Sequence, residues 1–292
     1  MTGPSDVFAS AVETAQKSTL RVEAGRCTRL TGFAFAADVV CTSERALRGS
    51  DVLRVVDQEG RAHEAELLGS DAGLDLAVLR ARDASLPVLA VADHQSLRVG
   101  QLTLALGRPG AGIRASLRVV GLLSGEQQTP SGARLHRYIE SDRGLPDGFE
   151  GGPLIDERGA LIGMNSSSVW RGADLTVPHA TLAASVAEIL AHGRRRRGYL
   201  GVACQPVRLP AALRESLDQR SGALVLELEE AGPAQSADLR FGDVIVSVDG
   251  TKVRGPRELV AALRDKHAAQ VELGYVRNAQ LEKLSVTLKE RS

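Results

Sequence analysis

Short apolar or alternating runs follow one another along most of the chain, and they predict a β-rich first domain. Turn segments rich in Gly, Pro and Asp, such as 57–60 and 108–110, separate the runs. Many strands at regular spacing, with no helical pattern between them, are typical of antiparallel barrels or sandwiches. The predicted strands are 19–23, 31–36, 38–42, 52–56, 63–68, 75–80, 101–106, 115–123, 134–141, 153–156, 161–165 and 173–177.

A long helical period first appears at 179–192, where Leu182, Val186 and Ile189 recur at three- and four-residue spacing. The segment 193–198 follows, and it contains four consecutive arginines. Such a run is typical of a solvated interdomain linker, and contact with an acidic partner is the alternative. The pattern therefore predicts a first domain over 1–192 and a linker over 193–198.

Residues 199–292 mix strands with two helical segments and predict a compact α+β domain. The helices are predicted at 209–217 and 256–265, and the second has an apolar face formed by Leu259, Val260 and Leu263. The strands are predicted at 199–204, 223–228, 243–248, 270–276 and 283–288.

Composition narrows the function classes. Lys and Arg number 36, as do Asp and Glu, so zero net charge gives no general case for binding nucleic acid or anionic membranes. No apolar run approaches the roughly 20 residues that span a bilayer. The first ten residues lack the pattern of a signal peptide, so the sequence as written predicts a cytoplasmic protein, or a periplasmic one if a leader was removed. Three cysteines without zinc-ligand spacing predict no metal or cofactor.

The stretch 147–155, Asp-Gly-Phe-Glu-Gly-Gly-Pro-Leu-Ile, predicts a tight loop that presents Glu150 at the start of a strand. Glycines permit positive φ angles and close backbone approach, so the N–H groups of such a turn can converge on one point. Trypsin-like serine proteases hold their nucleophile and oxyanion hole in a loop of this kind. Here a carboxylate stands where the serine is expected.

Two further motifs agree in order with this loop, and together they resemble the HtrA/DegP family. The resemblance implies a trypsin-like double antiparallel β-barrel followed by a PDZ domain, so the expected fold is mainly β with an α+β second domain. The segment 69–79 places Asp75 at the catalytic-aspartate position, and 42–47 places Arg45 at the histidine position. The resemblance places Glu150 at the serine position and assigns Gly148 and Phe149 to a vestigial oxyanion loop.

These replacements predict a catalytically inactive pseudoprotease. Serine-type hydrolysis needs a hydroxyl nucleophile, a base near neutral pKa and an orienting carboxylate, and only Asp75 remains. Arginine stays protonated at any working pH, and the Glu150 anion is expected to accept the loop's own N–H groups. The alternative is a serine-type endopeptidase of the same family with a non-standard nucleophile.

Other residues offer no clear rescue of catalysis. Ser141 and the serines at 166–168 are expected near the cleft, where they suit strand ends and pocket lining. Metal binding by Asp75 and Glu150 is disfavoured because Arg45 would repel a cation, so no metal is predicted. None of the six histidines falls at a motif position: His63, His94, His136, His179, His192 and His267.

The opposite charges at the three triad positions suggest an ionic trio, with Arg45 between Asp75 and Glu150. A planar guanidinium suits such pairing. The competing interpretation is that catalysis was lost and the charges drifted independently, because buried ion pairs often add little net stability.

The PDZ resemblance implies peptide binding. Tyr199, Leu200, Gly201 and Val202 resemble the carboxylate-binding loop, and the pocket for the terminal apolar side chain would be lined by Leu259 and Leu263. Predicted partners are peptide C-termini or unfolded segments, or an active protease paralogue; simple packing of the domain is the alternative. The segment 5–18 resembles the family's trimer-forming N-terminal segment, so a homotrimer is also predicted, with Phe8 as its candidate contact.

Overall fold

The computed structural model describes residues 3–25, 28–47, 53–93, 95–142, 144–170, 172–193, 197–264, 266 and 268–291. These residues fall into two compact units that divide between residues 195 and 196, except that 130–133 group with the second unit. The linker arginines at 194–196 lie outside the described residues, as do Cys27, His94 and His267.

Six antiparallel strands at the start of the first unit close into a barrel, in the order β1-β2-β3-β6-β5-β4. Alternating apolar side chains fill its interior, and Leu20, Val22, Val40 and Leu79 are all fully buried there. The strands are β1 Thr19–Ala24, β2 Thr28–Ala34, β3 Val39–Ser43, β4 Leu53–Val56, β5 Ala62–Asp71 and β6 Leu76–Ala81.

A second closed barrel follows, in the order β11-β14-β13-β12-β7-β8, and β9 and β10 form a separate two-stranded sheet. Leu154, Ile162 and Ile139 lie in its core with the ring of Phe149. The strands are β7 Leu102–Gly107, β8 Arg114–Ser124, β9 Gln127–Gln128, β10 Arg134–Leu135, β11 Tyr138–Ser141, β12 Pro153–Ile155, β13 Leu161–Trp170 and β14 Ala173–Pro178.

Two helices flank the barrels. The helix α1, Pro4–Ala15, precedes the first strand, and α2, His179–His192, has the bounds predicted from its helical period. Gly193 ends α2 in the left-handed conformation, with φ of 72°, which glycine adopts without a Cβ clash. The hydroxyl of Ser185 donates to Asp71 Oδ2 at 3.2 Å, which ties α2 to the end of β5.

The second unit is built on one six-stranded antiparallel sheet. Its order is β16-β17-β18-β20-β21, with β19 paired to β18, while β15 and β22 form a separate pair. The strands are β15 Arg197–Tyr199, β16 Val202–Arg208, β17 Ser221–Leu228, β18 Val244–Val248, β19 Thr251–Lys252, β20 Gln270–Arg277, β21 Gln280–Thr287 and β22 Lys289–Arg291; the helices are α3 Ala211–Leu217, α4 Pro233–Ser236 and α5 Pro256–Leu263.

Two predicted boundaries in this unit were displaced. The strand expected at 199–204 is interrupted at Gly201, whose φ of +76° belongs to a turn, so β16 begins only at Val202. The helix expected from residue 209 begins at Ala211, because Pro210 is its N-cap. The short helix α4 was not predicted, since four residues carry no readable period.

The core of the second unit lies between the sheet and α5. Leu259 and Leu263 of the helix pack with Leu200, Ile245 and Leu273. Within the described residues, no helix is long and apolar enough to cross a membrane.

Candidate functional site

The loop at 147–152 is held against both barrels by very close backbone contacts. A Cβ on Gly151 would lie 2.4 Å from the N atom of Ser43, and one on Gly152 would lie 2.2 Å from the carbonyl oxygen of Leu106. No side chain fits at either position, and Gly151 also has a φ of +75°. The paired glycines therefore fix the loop across β3 and β7, as the motif predicts.

Further hydrogen bonds complete this attachment. The N–H of Gly151 donates to the carbonyl of Asn165 at 3.0 Å, and the N–H of Asn165 donates to that of Gly152 at 2.9 Å. The hydroxyl of Thr31, on β2, donates to the carbonyl of Gly148 at 2.5 Å. The backbone on both sides of residue 150 is thus fixed by neighbouring strands.

Glu150 turns its carboxylate towards β13. The N–H of Ser167 lies 3.1 and 3.3 Å from its two oxygens, and the hydroxyl of Ser167 donates to Oε1. Burial raises the pKa of Glu150, the hydrogen bonds from Ser167 lower it, and the negative charges of Asp75 and Asp174 raise it further; the net direction is upward. The partly buried carboxyl group of Glu150 is therefore held by one serine.

Asp75 is 3% exposed, and both oxygens of its carboxylate accept hydrogen bonds. The hydroxyl of Ser43 lies 2.9 and 2.8 Å from the two oxygens, the hydroxyl of Ser166 donates to Oδ2 at 2.9 Å, and the N–H of Arg45 donates to Oδ1 at 2.9 Å. Asp75 itself has a φ of +52°, a conformation that Asp tolerates better than most residues.

The suggested ionic trio was wrong for these residues. The Arg45 side chain is exposed, and among the described residues no ion pair joins its guanidinium to Asp75 or Glu150. Short serine side chains bind the two carboxylates instead. Ser43 and Ser166 donate to Asp75, and Ser167 donates to Glu150. Arg45 supplies only its backbone N–H, from the first residue of a 3₁₀ turn, Arg45–Leu47.

The expectation for the oxyanion loop also needs correction. Glu150 does not accept the loop's N–H groups; its carboxylate is bound by Ser167. Gly148 has a φ of +84°, and the N–H of Phe149 donates to the carbonyl of Pro146 at 3.1 Å within the turn. For the N–H groups of Gly148 and Glu150, the described part of the chain provides no acceptor.

The structure brings no histidine to these carboxylates among the residues that it describes. His63 lies 3.4 Å from Asp57, His136 contacts the hydroxyl of Thr181 at 3.0 Å, and His179 stacks on the ring of Phe35. Nor do the described residues include a group of three or more His, Cys, Asp or Glu placed to hold a metal ion. In the described residues of the first unit, an acid, hydroxyl groups and a glycine-rich loop thus lie together with no imidazole beside them.

The second unit has a separate pocket of about 180 Å³. It lies between the turn that precedes β16 and one face of α5, and its base is apolar. The side chains of Leu259 and Leu263 are nearly buried, whereas Val260 at the rim is 48% exposed. All six residues predicted for peptide binding line this pocket: Tyr199, Leu200, Gly201, Val202, Leu259 and Leu263.

The turn above the pocket uses its carbonyls and leaves its N–H groups available. The carbonyl of Leu200 accepts from Ala234 at 2.9 Å, and that of Gly201 accepts from Glu229 at 2.9 Å. In the described chain, neither the Leu200 nor the Gly201 N–H donates to a protein acceptor. Successive free N–H groups above an apolar pocket form a concave site that favours an anion with an apolar side chain.

Family models match both units. Residues 30–164 match the trypsin-like peptidase domain, and residues 198–288 match the PDZ domain. The chain has an HtrA-like architecture. The predicted fold class is confirmed: a mainly β chain with a trypsin-like double β-barrel followed by a PDZ domain.

Similar proteins share this arrangement. A "Probable periplasmic serine endoprotease DegP-like" from Halomonas elongata is 33% identical over 266 residues, covering 88% of this chain and 56% of the relative. A protein of the same name from Chlamydia muridarum is 28% identical over 278 residues, covering 90% of this chain and 54% of the relative. The HtrA-like chain therefore spans about half the length of these curated relatives.

Among solved structures, "HtrA-type protease AlgW with tripeptide" superposes with a TM-score of 0.74 at 26% identity. The alignment covers 98% of this chain and 97% of the other. The serine endoprotease from Yersinia pestis superposes with the same score, 0.74, at 23% identity, covering 98% of each chain.

Sequence reasoning missed the three serines that bind the carboxylates. Ser43 lies two residues before the histidine position, and Ser166 and Ser167 were assigned only to strand ends and pocket lining. The available signal was the hydroxyl at each of these positions beside the motifs, because a buried carboxylate without a histidine needs other donors.

Proposed function

We propose that this HtrA-like chain is a non-catalytic protein that binds peptide C-termini in its PDZ domain. The observation that carries the proposal is the pocket beneath Leu200 and Gly201, whose N–H groups have no acceptor among the described residues. A peptide carboxylate supplies the missing acceptor, and an apolar terminal side chain fills the space beside Leu259 and Leu263.

Loss of catalysis is supported by the chemistry of the first unit. A serine-type mechanism transfers the nucleophile's proton to a base, and position 45 carries a guanidinium that stays protonated. The side chain at the nucleophile position is a carboxylate bound to Ser167. Attack by a carboxylate on a peptide bond would give an anhydride, and among the described residues no histidine lies at this site to act as the base.

The second candidate is a serine-type endopeptidase with Ser167 as nucleophile and Glu150 as base. The contact between the Ser167 hydroxyl and the Glu150 carboxylate favours it, as do the names of the relatives. We favour the non-catalytic function because Glu150 also accepts the N–H of Ser167, which ties the carboxylate to the backbone of the would-be nucleophile.

One pair of titrations tests the proposal. A peptide of four residues ending in a free Thr-Val is titrated into the full chain, alongside the same peptide with an amidated terminus. Saturable binding of the free acid, weakened at least tenfold by amidation, is expected because the N–H groups recognise the charged carboxylate. Equal binding of both peptides, or no binding of either, would contradict it.

Partners and location follow from the same comparison. The relatives' names support an extracytoplasmic location rather than the cytoplasmic one expected from the sequence as written. Unfolded protein segments with free C-termini are the proposed ligands. An active protease paralogue as partner, and a homotrimer formed through the segment 5–18, stay predictions.

A further inference from the structure

Among the described residues, β16 pairs only with β17 and forms one edge of its sheet. Hydrogen bonds at the two ends of β16 show which of its residues face that edge. At one end the carbonyl of Gly201 accepts from Glu229, and at the other the N–H of Leu209 donates to Arg220. Both bonds point towards β17. Successive residues of a strand point their N–H and C=O groups to alternate sides, so residues 203, 205 and 207 also face β17.

An irregularity in the pairing does not disturb this alternation. The register passes from Ala203 opposite Glu227 to Cys204 opposite Val225, so the extra residue belongs to β17. The alternation along β16 is therefore continuous, and both ends agree. Residues Val202, Cys204, Pro206 and Arg208 direct their backbone groups to the free edge.

Pro206 interrupts this row of donors, because proline has no N–H. An antiparallel peptide with its carboxylate at the turn would pair its last residue with Val202. Its third residue from the end would then pair with Cys204, and its fifth with Pro206, since paired positions recur every two residues. The carbonyl of that fifth residue finds no donor on β16.

Pro206 lies close to the start of α5. The Cβ position of Gly255, the N-cap of α5, lies 3.6 Å from the Cβ of Pro206. The pocket lies at the other end of this helix, beside Leu259 and Leu263. The N-terminal end of α5 therefore lies beside Pro206, where the row of edge donors is interrupted.

We infer that Pro206 limits strand pairing in the PDZ groove to the last four residues of a peptide. This inference rests on the proposed binding of peptide C-termini. The inference specifies the recognised part of the ligand as its C-terminal tetrapeptide. Residues that precede this tetrapeptide form no backbone hydrogen bonds to β16. The missing backbone donor at Pro206, an edge-facing position of β16, supports it.

The test uses the full chain and peptides of four, six and eight residues that share one C-terminal tetrapeptide ending in Thr-Val, extended at the N-terminus with threonine. Fluorescence anisotropy competition gives each affinity. In the unaltered chain, extension from four to eight residues is expected to change the affinity less than twofold. In Pro206→Ala the restored N–H is expected to give the longer peptides a gain of roughly three- to tenfold.

Pro210→Ala is the matched control, because Pro210 lies in the same unit at the N-cap of α3 and outside the edge strand. It is expected to behave as the unaltered chain does. A gain of threefold or more on lengthening the peptide in the unaltered chain would overturn the inference, even if Pro206→Ala fails to fold. So would a folded Pro206→Ala without any length dependence. Failure of every peptide to bind would instead remove the proposed function itself.

Discussion

The hydroxyl of Ser43 lies 2.9 and 2.8 Å from the two carboxylate oxygens of Asp75. Asp75 is at the position of the acid that orients the base in an active serine protease. Ser166 adds a second hydroxyl at 2.9 Å. The buried aspartate thereby accepts hydrogen bonds from both β3 and β13.

Replacing Asp75 should therefore destabilise the barrel unit. In Asp75→Ala, the hydroxyls of Ser43 and Ser166 and the N–H of Arg45 lose their acceptor. Each unsatisfied buried group costs about 1–3 kcal/mol, so the free energy of unfolding in urea should fall by roughly 3 kcal/mol or more. Asp75→Asn keeps one carbonyl acceptor and tolerates the positive φ, so its loss should be smaller; equal losses in both variants would contradict the structural role.

Glu150 gives the chain a stability term that depends on pH. Its pKa is raised above the ordinary value of 4.5, first by burial, so the folded state holds its proton at a pH where the unfolded state has released it. Stability should therefore fall as pH rises from about 4.5 through the raised pKa, and the penalty should vanish at lower pH.

The variant Glu150→Gln removes this titration while keeping an acceptor for Ser167. The melting temperature of Glu150→Gln, relative to that of the unaltered chain, should increase as pH rises from 4 towards neutral. The difference between the two proteins should be smallest at pH 4. The exposed Glu64, changed to Gln in the same way, is the control for the loss of one carboxylate. A Glu150→Gln difference that shrinks with rising pH would contradict the assigned direction.

In the PDZ domain, Asp243 and Arg277 form a nearly buried ion pair with bonds of 2.8 and 2.7 Å. This pairing raises the pKa of Arg277, and the guanidinium also lies over the ring of Tyr275, 4.9 Å from its centroid. Asp243→Asn should lower the unfolding free energy of this unit by about 3 kcal/mol, because it removes the buried carboxylate that binds the guanidinium and leaves only the exposed Asp238, 3.8 Å away, as a counter-charge.

Asp238→Asn is the matched control for that change. Asp238 pairs with Arg240 at 2.9 Å and lies 3.8 Å from the guanidinium of Arg277, but its side chain is 70% exposed. Exposed pairs contribute about 0–1 kcal/mol, so this variant should melt close to the unaltered chain. Urea denaturation followed by a probe in the PDZ domain measures both, and similar losses in the two variants would refute the distinction.

Val260 at the pocket rim should affect peptide binding without affecting stability. It is 48% exposed, and Leu281 on β21 is equally exposed at 49% but does not line the pocket. Val260→Ala should weaken binding of the free-acid tetrapeptide roughly two- to fivefold, since apolar contact with the ligand is lost. Leu281→Ala should leave it unchanged, and both variants should melt within a few degrees of the unaltered chain. Equal binding by all three proteins would exclude this face of α5 from the ligand site.

The features that the sequence could predict are those that a motif or a regular period specifies directly. A Cβ added to Gly151 or Gly152 would lie within 2.4 Å of a backbone atom of a neighbouring strand. Only glycine fits at these two positions, so the paired-glycine motif predicts the loop geometry. The period of α2 also predicted its bounds, because its buried face repeats over fourteen residues.

The partners of the carboxylates could not be predicted in the same way. The charges of Arg45, Asp75 and Glu150 suggested mutual pairing, but side-chain direction decides which groups meet. Ser43 and Ser167 reach the acids with short side chains from adjacent strands, whereas the long Arg45 side chain remains in solvent, where it keeps its hydration. The start of β16 was missed for a related reason, since the positive φ of Gly201 is set by the turn against Glu229.

The most direct test of the account is to treat the unaltered chain and its Ser167→Ala variant with a fluorophosphonate probe, followed by intact mass measurement and incubation with casein. With neither a base at position 45 nor a hydroxyl at position 150, we predict no added mass and no cleavage by either protein. Labelling and casein cleavage by the unaltered chain that disappear in Ser167→Ala would contradict the central claim and establish a working serine nucleophile.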